Sequence, residues 1–357
     1  MKRSGTKWPT SSFLFPRLSL ASILLLSGAD LPGFTGHYQV SPYFDSNVLE
    51  RLGNPLSSGG FKIGGRLSHE VLGSRASGSG TLMAHLFLDG GIPEESKLAV
   101  NLDSGFRYFL SPLFYSVFNF AHFSKAFFLQ TRRYGWSEGM AGFGVLPSRA
   151  LRVQVNGLYR TTAFVPSEVF RFSDRMVEFE LEYAVTDRIS ARAAAILGSV
   201  DYDDFEALAL SRDSTLTGLG FDQVDESLKG LVHLHYGGKV VFGIQGALQF
   251  VNSNSVIGEF DLGAYRVYVS GRLGHLYFFH LVYQRVDKRY RYPRIQGLSG
   301  FRDPEERIQN RTYLQLERTA SENRIFFLQL SILNNETIWN QQYYDKVLVE
   351  LGFQSSF

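Results

Sequence analysis

The stretch VEFELEYAVTDRISARAAAI, residues 177–196, alternates apolar and charged side chains, breaks at Thr186-Asp187-Arg188 and resumes. Val177, Phe179, Leu181, Tyr183 and Val185 share one parity, and Glu178, Glu180 and Glu182 share the other. Successive side chains of a strand point to opposite faces, so this is a strand with one greasy and one charged face, followed by a tight turn. If Val185 meets Ile189 across that turn, Tyr183 faces Ala191, Leu181 faces Ala193 and Glu182 faces Arg192. Apolar meets apolar and acid meets base, which are favourable cross-strand neighbours.

The same period recurs along the chain. Phe61, Ile63, Leu67 and Val71 oppose Lys62, Arg66, Ser68 and Glu70; Leu98, Val100, Leu102, Phe106 and Tyr108 oppose Asn101, Asp103 and Arg107; Leu151, Val153, Val155 and Tyr159 oppose Arg152, Gln154, Asn156 and Arg160. Around Gly237-Gly238-Lys239, pairing Tyr236 with Val240 brings Leu234 to Phe242 and Val232 to Ile244. These segments run about ten residues or more, whereas ordinary strands centre on five or six and a tilted membrane-spanning strand needs nine to eleven.

The connections separate a membrane barrel from a soluble sandwich. Short turns are expected at 110–113, 146–148, 186–188, 237–239, 271–274 and 320–323, with longer polar connectors at 46–58, 165–174, 201–224, 287–307 and 334–340. Short turns on one rim and long loops on the other are the construction of a membrane barrel. The expectation is an all-β, transmembrane, antiparallel up-and-down barrel of about sixteen strands, with fourteen also compatible, running from Phe34 to Phe357 with both ends on the short-turn side. Residues 113–133 are too aromatic on both parities to phase, and the pattern changes phase near Gly263, which reads as a bulge. Ser77-Gly78-Ser79-Gly80 and Gly218 to Gly220 read as turn and loop, because neither has the strand-then-helix setting of a phosphate cradle.

Composition agrees with a β protein: among 357 residues there are 31 Phe, 18 Tyr and 35 Gly, and no Cys, which excludes disulfides, thiolate metal sites and cysteine catalysis. Lys2, Arg3, Lys7 and Arg17 flank an apolar run, Leu18 to Leu26, that ends at the small residues Ser27-Gly28-Ala29. This is the pattern of an export signal, so residues 1–29 are set apart as a signal peptide and 30–357 as the barrel. Without them 32 basic residues face 34 acidic ones, a balance that gives no footing for a nucleic-acid partner.

The last strand, KVLVELGFQSSF, alternates Val347, Val349, Leu351 and Phe353 and closes on Phe357. It resembles the C-terminal signal of bacterial outer-membrane β-barrels of the porin-like superfamily, although Ser355 stands where an aromatic is common. SPYFDSNVLE, residues 41–50, resembles the first strand of many such barrels. The resemblance implies a Gram-negative cell outer membrane, lipid and lipopolysaccharide as surroundings, the barrel-assembly machinery as a partner that reads Phe357, and no cofactor.

Function then belongs to the lumen. The polar parity places Arg107, Arg152, Arg160, Glu178, Glu180, Glu182, Arg192, Lys229, His233 and His235 on its wall, together with Lys62, His85, Gln245, His280, Arg311, Glu317, Lys346 and Glu350. Opposed basic and acidic walls around water suit a porin-like channel for passive diffusion of small hydrophilic or ionic solutes. Two other readings stay open: a barrel enzyme acting on lipid or envelope substrates, and a non-conducting barrel that anchors an envelope assembly. No catalytic constellation emerges, and His233 with His235 lacks a third metal ligand. Asp201, Asp203, Asp204 and Glu206 read as a solvated acidic loop. At the outer rim Lys288, Arg289, Arg291 and Arg294 form a candidate anion-binding group, which the following Asp303-Pro304-Glu305-Glu306 could neutralise.

Overall fold

The computed structural model describes residues 34–48, 55–130, 133–165, 171–210, 216–292, 310–336 and 343–356. The export segment, Arg294 and Phe357 lie outside the described residues. The strands are β1 (Phe34–Asp45), β2 (Ser58–Leu72), β3 (Ala76–Asp89), β4 (Lys97–Phe109), β5 (Phe114–Phe127), β6 (Arg133–Val145), β7 (Leu151–Val165), β8 (Arg171–Thr186), β9 (Ile189–Leu210), β10 (Leu216–Tyr236), β11 (Val240–Ser253), β12 (Phe260–Leu273), β13 (Tyr277–Tyr290), β14 (Asn310–Ser321), β15 (Arg324–Glu336) and β16 (Tyr343–Ser356). Each pairs antiparallel with its sequence neighbours, and β1 pairs with β16, closing a sixteen-stranded barrel with no terminal edge strand.

The register of the β8–β9 hairpin is the one its charges dictate: Tyr183 opposes Ala191, Leu181 opposes Ala193 and Glu182 opposes Arg192. Only the turn differs, because a register irregularity between Ala184 and Thr186 leaves Ile189 opposite Thr186 instead of Val185. At the β10–β11 hairpin the parity holds but the register slips by two residues: Tyr236 opposes Phe242, Leu234 opposes Ile244 and Val232 opposes Gly246. The apolar alternation is satisfied by either register, and no charged pair selects between them.

Four local expectations are corrected. Residues 201–224 are largely strand: β9 and β10 run 22 and 21 residues and stay paired as far as Leu210 and Leu216. Beyond the membrane both faces of a ribbon are wet, so polar residues on both parities resemble a loop in the sequence. Near Gly263 the pairings of β12 with β11 and β13 continue without a register shift; Phe260 and Leu262 face inward, so polarity changes while phase does not. The turn expected at 271–274 falls between Leu273 and Tyr277, where Gly274 has φ 74°, a left-handed value that favours glycine. Ser77 to Gly80 lies within β3 and Gly218 to Gly220 within β10.

Side chains divide by parity. On β8, Phe179 and Leu181 are 49% and 45% exposed outward, while Glu178 and Glu180 are 9% and 5% exposed on the inner wall. The aromatic segment that resists phasing is β5, with Phe118 and Phe120 exposed outward and Tyr115, Val117 and Phe127 buried inward. Both parities are aromatic there because the lumen has aromatic groups of its own: Phe123 stacks on Trp136 with ring centroids 6.4 Å apart.

Two buried carboxylates tie the β1–β16 seam: Asp45 pairs with Lys346 at 2.8 Å, and Glu350 gathers several donors. Glu350 is 3% exposed and accepts hydrogen bonds from Gln39 Nε2 (2.6 Å), the Ser41 hydroxyl (2.6 Å) and Lys62 Nζ (3.2 Å). The donors on β1 and β2 thereby converge on a group at the other end of the chain. Glu350→Ala leaves the proton of the fully buried Ser41 hydroxyl without its acceptor, and an unmet buried polar group costs about 1–3 kcal/mol, whereas Glu350→Gln keeps an acceptor. Urea titration in lipid vesicles should therefore rank wild type above Glu350→Gln and Glu350→Ala last; equal midpoints would mean the seam does not depend on this group.

Candidate functional site: the barrel lumen

The charged hairpin and its neighbours build the most developed part of the inner wall. Glu180 sits between two arginines from the flanking strands: Arg152 on β7 donates to it at 2.7 Å and Arg192 on β9 at 2.6 Å. Arg152 also pairs with Glu182, and Arg192 reaches Glu178 at 3.5 Å. The network continues without a charge of either sign, as Asn156 donates to Glu178 (3.1 Å), Gln154 donates to Asn156 (2.7 Å) and the Tyr115 hydroxyl donates to Gln154 (2.8 Å). From Tyr115 through Gln154 and Asn156 to Glu178 each side chain is met by the next, which fixes the rotamers of this part of the wall.

Arg160 belongs to a separate unit. It pairs with Glu138 on β6 at 2.6 Å and lies 4.9 Å from the Trp136 ring centre. Arg107 lies 5.0 Å from the ring centre of Tyr115. A guanidinium over an aromatic face is held in place while its charge stays available. Sequence reading omits Glu138 and Trp136 because they lie next to the segment that could not be phased.

Further round, His233 Nε2 and His235 Nδ1 hydrogen-bond to one phenol, that of Tyr268, at 3.1 and 2.8 Å. The two histidines thus have a hydroxyl between them where a metal site would need a further ligand, and among the described residues no group of three His, Asp or Glu is placed to hold a metal. Lys229 lines an inner cavity of about 290 Å³ with Arg192, His233, Gln245, Arg266 and Gln284. A larger one of about 510 Å³ lies against Arg107, Arg152, Glu178, Glu180 and Arg192, and one of about 220 Å³ against Lys62, Arg311, Lys346 and Glu350.

Each of the three described rim cations has a local partner. Lys288 turns inward, 4.1 and 4.5 Å from the ring centres of Phe260 and Tyr290. Arg289 pairs with Asp287 at 2.9 Å, and Arg291 lies 3.6 Å from Glu259 and donates to Asn252. Acidic neighbours within β13 and before β12 neutralise these cations locally. Of the acidic group on β9, Asp201 pairs with Arg175 at 3.3 Å and Glu206 accepts from the Gly220 amide at 2.6 Å.

The outer face shows what this wall is embedded in. Outward positions of β8 are apolar from Val185 to Val177, and the next, Arg175, is charged and ion-paired to Asp201. That stretch measures roughly 26 Å along the strand and about 20 Å after tilting, close to the apolar band of a membrane barrel. The architecture is the outer-membrane β-barrel fold. No family model and no curated protein matches the sequence. Among solved structures, the Salmonella typhi OmpF complex with daunomycin shares 11% identity at TM-score 0.48, over 90% of this chain and 97% of that one. Acinetobacter baumannii OccAB2 shares 10% at TM-score 0.43, over 91% and 98%. A TodX monoaromatic hydrocarbon channel mutant shares 11% at TM-score 0.41, over 95% of both chains.

Proposed function

We propose that this barrel is a channel in the cell outer membrane through which small hydrophilic or ionic solutes diffuse passively. The supporting observation is where the charges go. Arg152, Arg160, Arg192, Lys62 and Lys346 each pair with a carboxylate on an adjacent strand or the next but one, so these ion pairs lie along the wall and do not bridge the bore. Charges fixed to a wall leave water in the middle, and a barrel of sixteen strands has room for it. In this reading the chain is exported, residues 1–29 are removed, the barrel-assembly machinery inserts the remainder beside lipopolysaccharide, and the protein performs no catalysis.

Refolded protein in a planar bilayer should give discrete conductance steps that scale with salt concentration. A barrel that folds, as judged by heat-modifiable gel migration, yet passes no current would overturn the channel and leave the non-conducting anchor.

A further inference from the structure

Six inward residues lie directly opposite one another on six consecutive strands. Arg192 on β9 faces His233 on β10, His233 faces Gln245 on β11, Gln245 faces Arg266 on β12, Arg266 faces Gln284 on β13, and Gln284 faces Arg311 on β14. Every member is a cation, an amide or an imidazole. Strands tilt in a barrel, so a row of opposed residues climbs as it goes round. Arg192 stands three residues from the short-turn end of its strand at Ile189, and Arg311 stands ten from the corresponding end at Ser321. The difference raises the row by roughly 18 Å of the wall at strand rise and tilt.

Acids are missing from the middle of this row for a reason of parity. On β11, β12 and β13 the acidic residues are Asp261 and Asp287, and both take the outward parity, opposite to that of Arg266 and Lys288. The cavity of about 290 Å³ at the row is lined by Arg192, Lys229, His233, Gln245, Arg266 and Gln284, with no carboxylate among its lining residues. Arg192 is already committed to Glu180, but Arg266 and Arg311 are not: among the described residues neither makes an ion pair, and the Nε of each is buried without a hydrogen-bond partner. Two guanidinium groups thus stand two strands apart on the lumen wall, neither of them ion-paired among the described residues, with Gln284 between them and Gln245 beside them; Arg266 faces the carboxylate-free cavity, and Arg311 lines the cavity of about 220 Å³ whose carboxylates Asp45 and Glu350 are already paired with Lys346 and Lys62.

We infer that the Arg266–Gln284–Arg311 segment of this row is a binding station for solutes bearing an oxyanion, carboxylate or phosphate, with Gln245 and His233 continuing it toward the short-turn mouth. A guanidinium fork matches such a group with two parallel hydrogen bonds, and the Gln245 amide beside Arg266 can donate to an oxygen left over. The inference rests on the channel reading for its consequence, since a station on the permeation path both concentrates the solute and delays its exit. Binding itself does not require conduction.

Two measurements separate the two ideas. Equilibrium dialysis of radiolabelled inorganic phosphate, and separately of succinate, against the folded barrel in detergent should show saturable binding of one or both. Arg266→Gln and Arg311→Gln should each weaken it at least tenfold, Arg266→Lys should weaken it less, and Arg318→Gln, which removes an outward charge, should leave it unchanged. In planar bilayers the same anion should block chloride current in wild type at concentrations that leave Arg266→Gln unblocked. Which of the two anions binds assigns the class. Absence of saturable binding for both anions, or binding equally strong in folded Arg266→Gln and Arg311→Gln, overturns the station even if the barrel conducts. Binding without any conductance overturns the channel and leaves the station standing.

Discussion

Arginine at Phe179 or Leu328 will cost about 2–4 kcal/mol of barrel stability, while arginine at Gln329 will be tolerated. Phe179 and Leu328 are 49% and 45% exposed on the outer face, which in a bilayer means contact with acyl chains. A guanidinium there must snorkel or draw water down to it, at a cost greatest near the midplane and falling toward the interfaces. Val153, Leu181 and Leu330 share that face and should follow the same depth rule. Gln329 instead lines the lumen cavity that contains Glu350, opposite which it stands in the β15–β16 register, so a new cation meets water and a carboxylate. Gln154 would be a poor control despite facing the lumen, because it is 7% exposed and hydrogen-bonded to Tyr115 and Asn156. Urea titration in vesicles decides it; equal losses at Leu328 and Gln329 would mean that the two faces are exchanged.

What was legible in the sequence is what a period of two can encode. The hairpin at 177–196 could be folded on paper because its charges penalise a slip, and Glu182 does oppose Arg192. The hairpin at Gly237 has no such pair, so its parity could be read but its register could not. Arg266 went unread because Phe260 and Leu262, which face inward before it, break the polarity contrast from which phase is inferred. The continuation of β9 and β10 past the membrane was hidden for a related reason: a ribbon with water on both sides has no greasy face to mark it. Partner choice is the other thing alternation does not specify. Glu182 and Arg192 are opposed, yet Arg192 makes its short contact diagonally, with Glu180, where Arg152 from the other side completes the arrangement. Long side chains reach diagonal neighbours on a sheet, so several pairings share one register.

That arrangement fixes the sign of the largest functional effect expected. Among the described residues, Arg152 and Arg192 alone are in ion-pairing contact with Glu178, Glu180 and Glu182, so this cluster holds three carboxylates against two guanidiniums and contributes a net negative patch to the wall. Replacing all three Glu with Gln leaves both arginines unpaired beside the cavity of about 510 Å³ that they line. The patch then turns from one net negative charge to two positive. Fixed charges at an aqueous constriction select ions by sign, over a range set by a Debye length of about 10 Å at 0.1 M salt and about 3 Å at 1 M. Reversal potential under a salt gradient should therefore move clearly toward anions near 0.1 M and only slightly near 1 M. The double variant Arg152→Gln with Arg192→Gln should move it toward cations, while Arg160→Gln, whose partner is Glu138 on another strand, should shift it less. Heat-modifiable migration must first confirm that each variant folds. A conducting barrel whose selectivity ignores both substitutions would place the permeation path away from this wall.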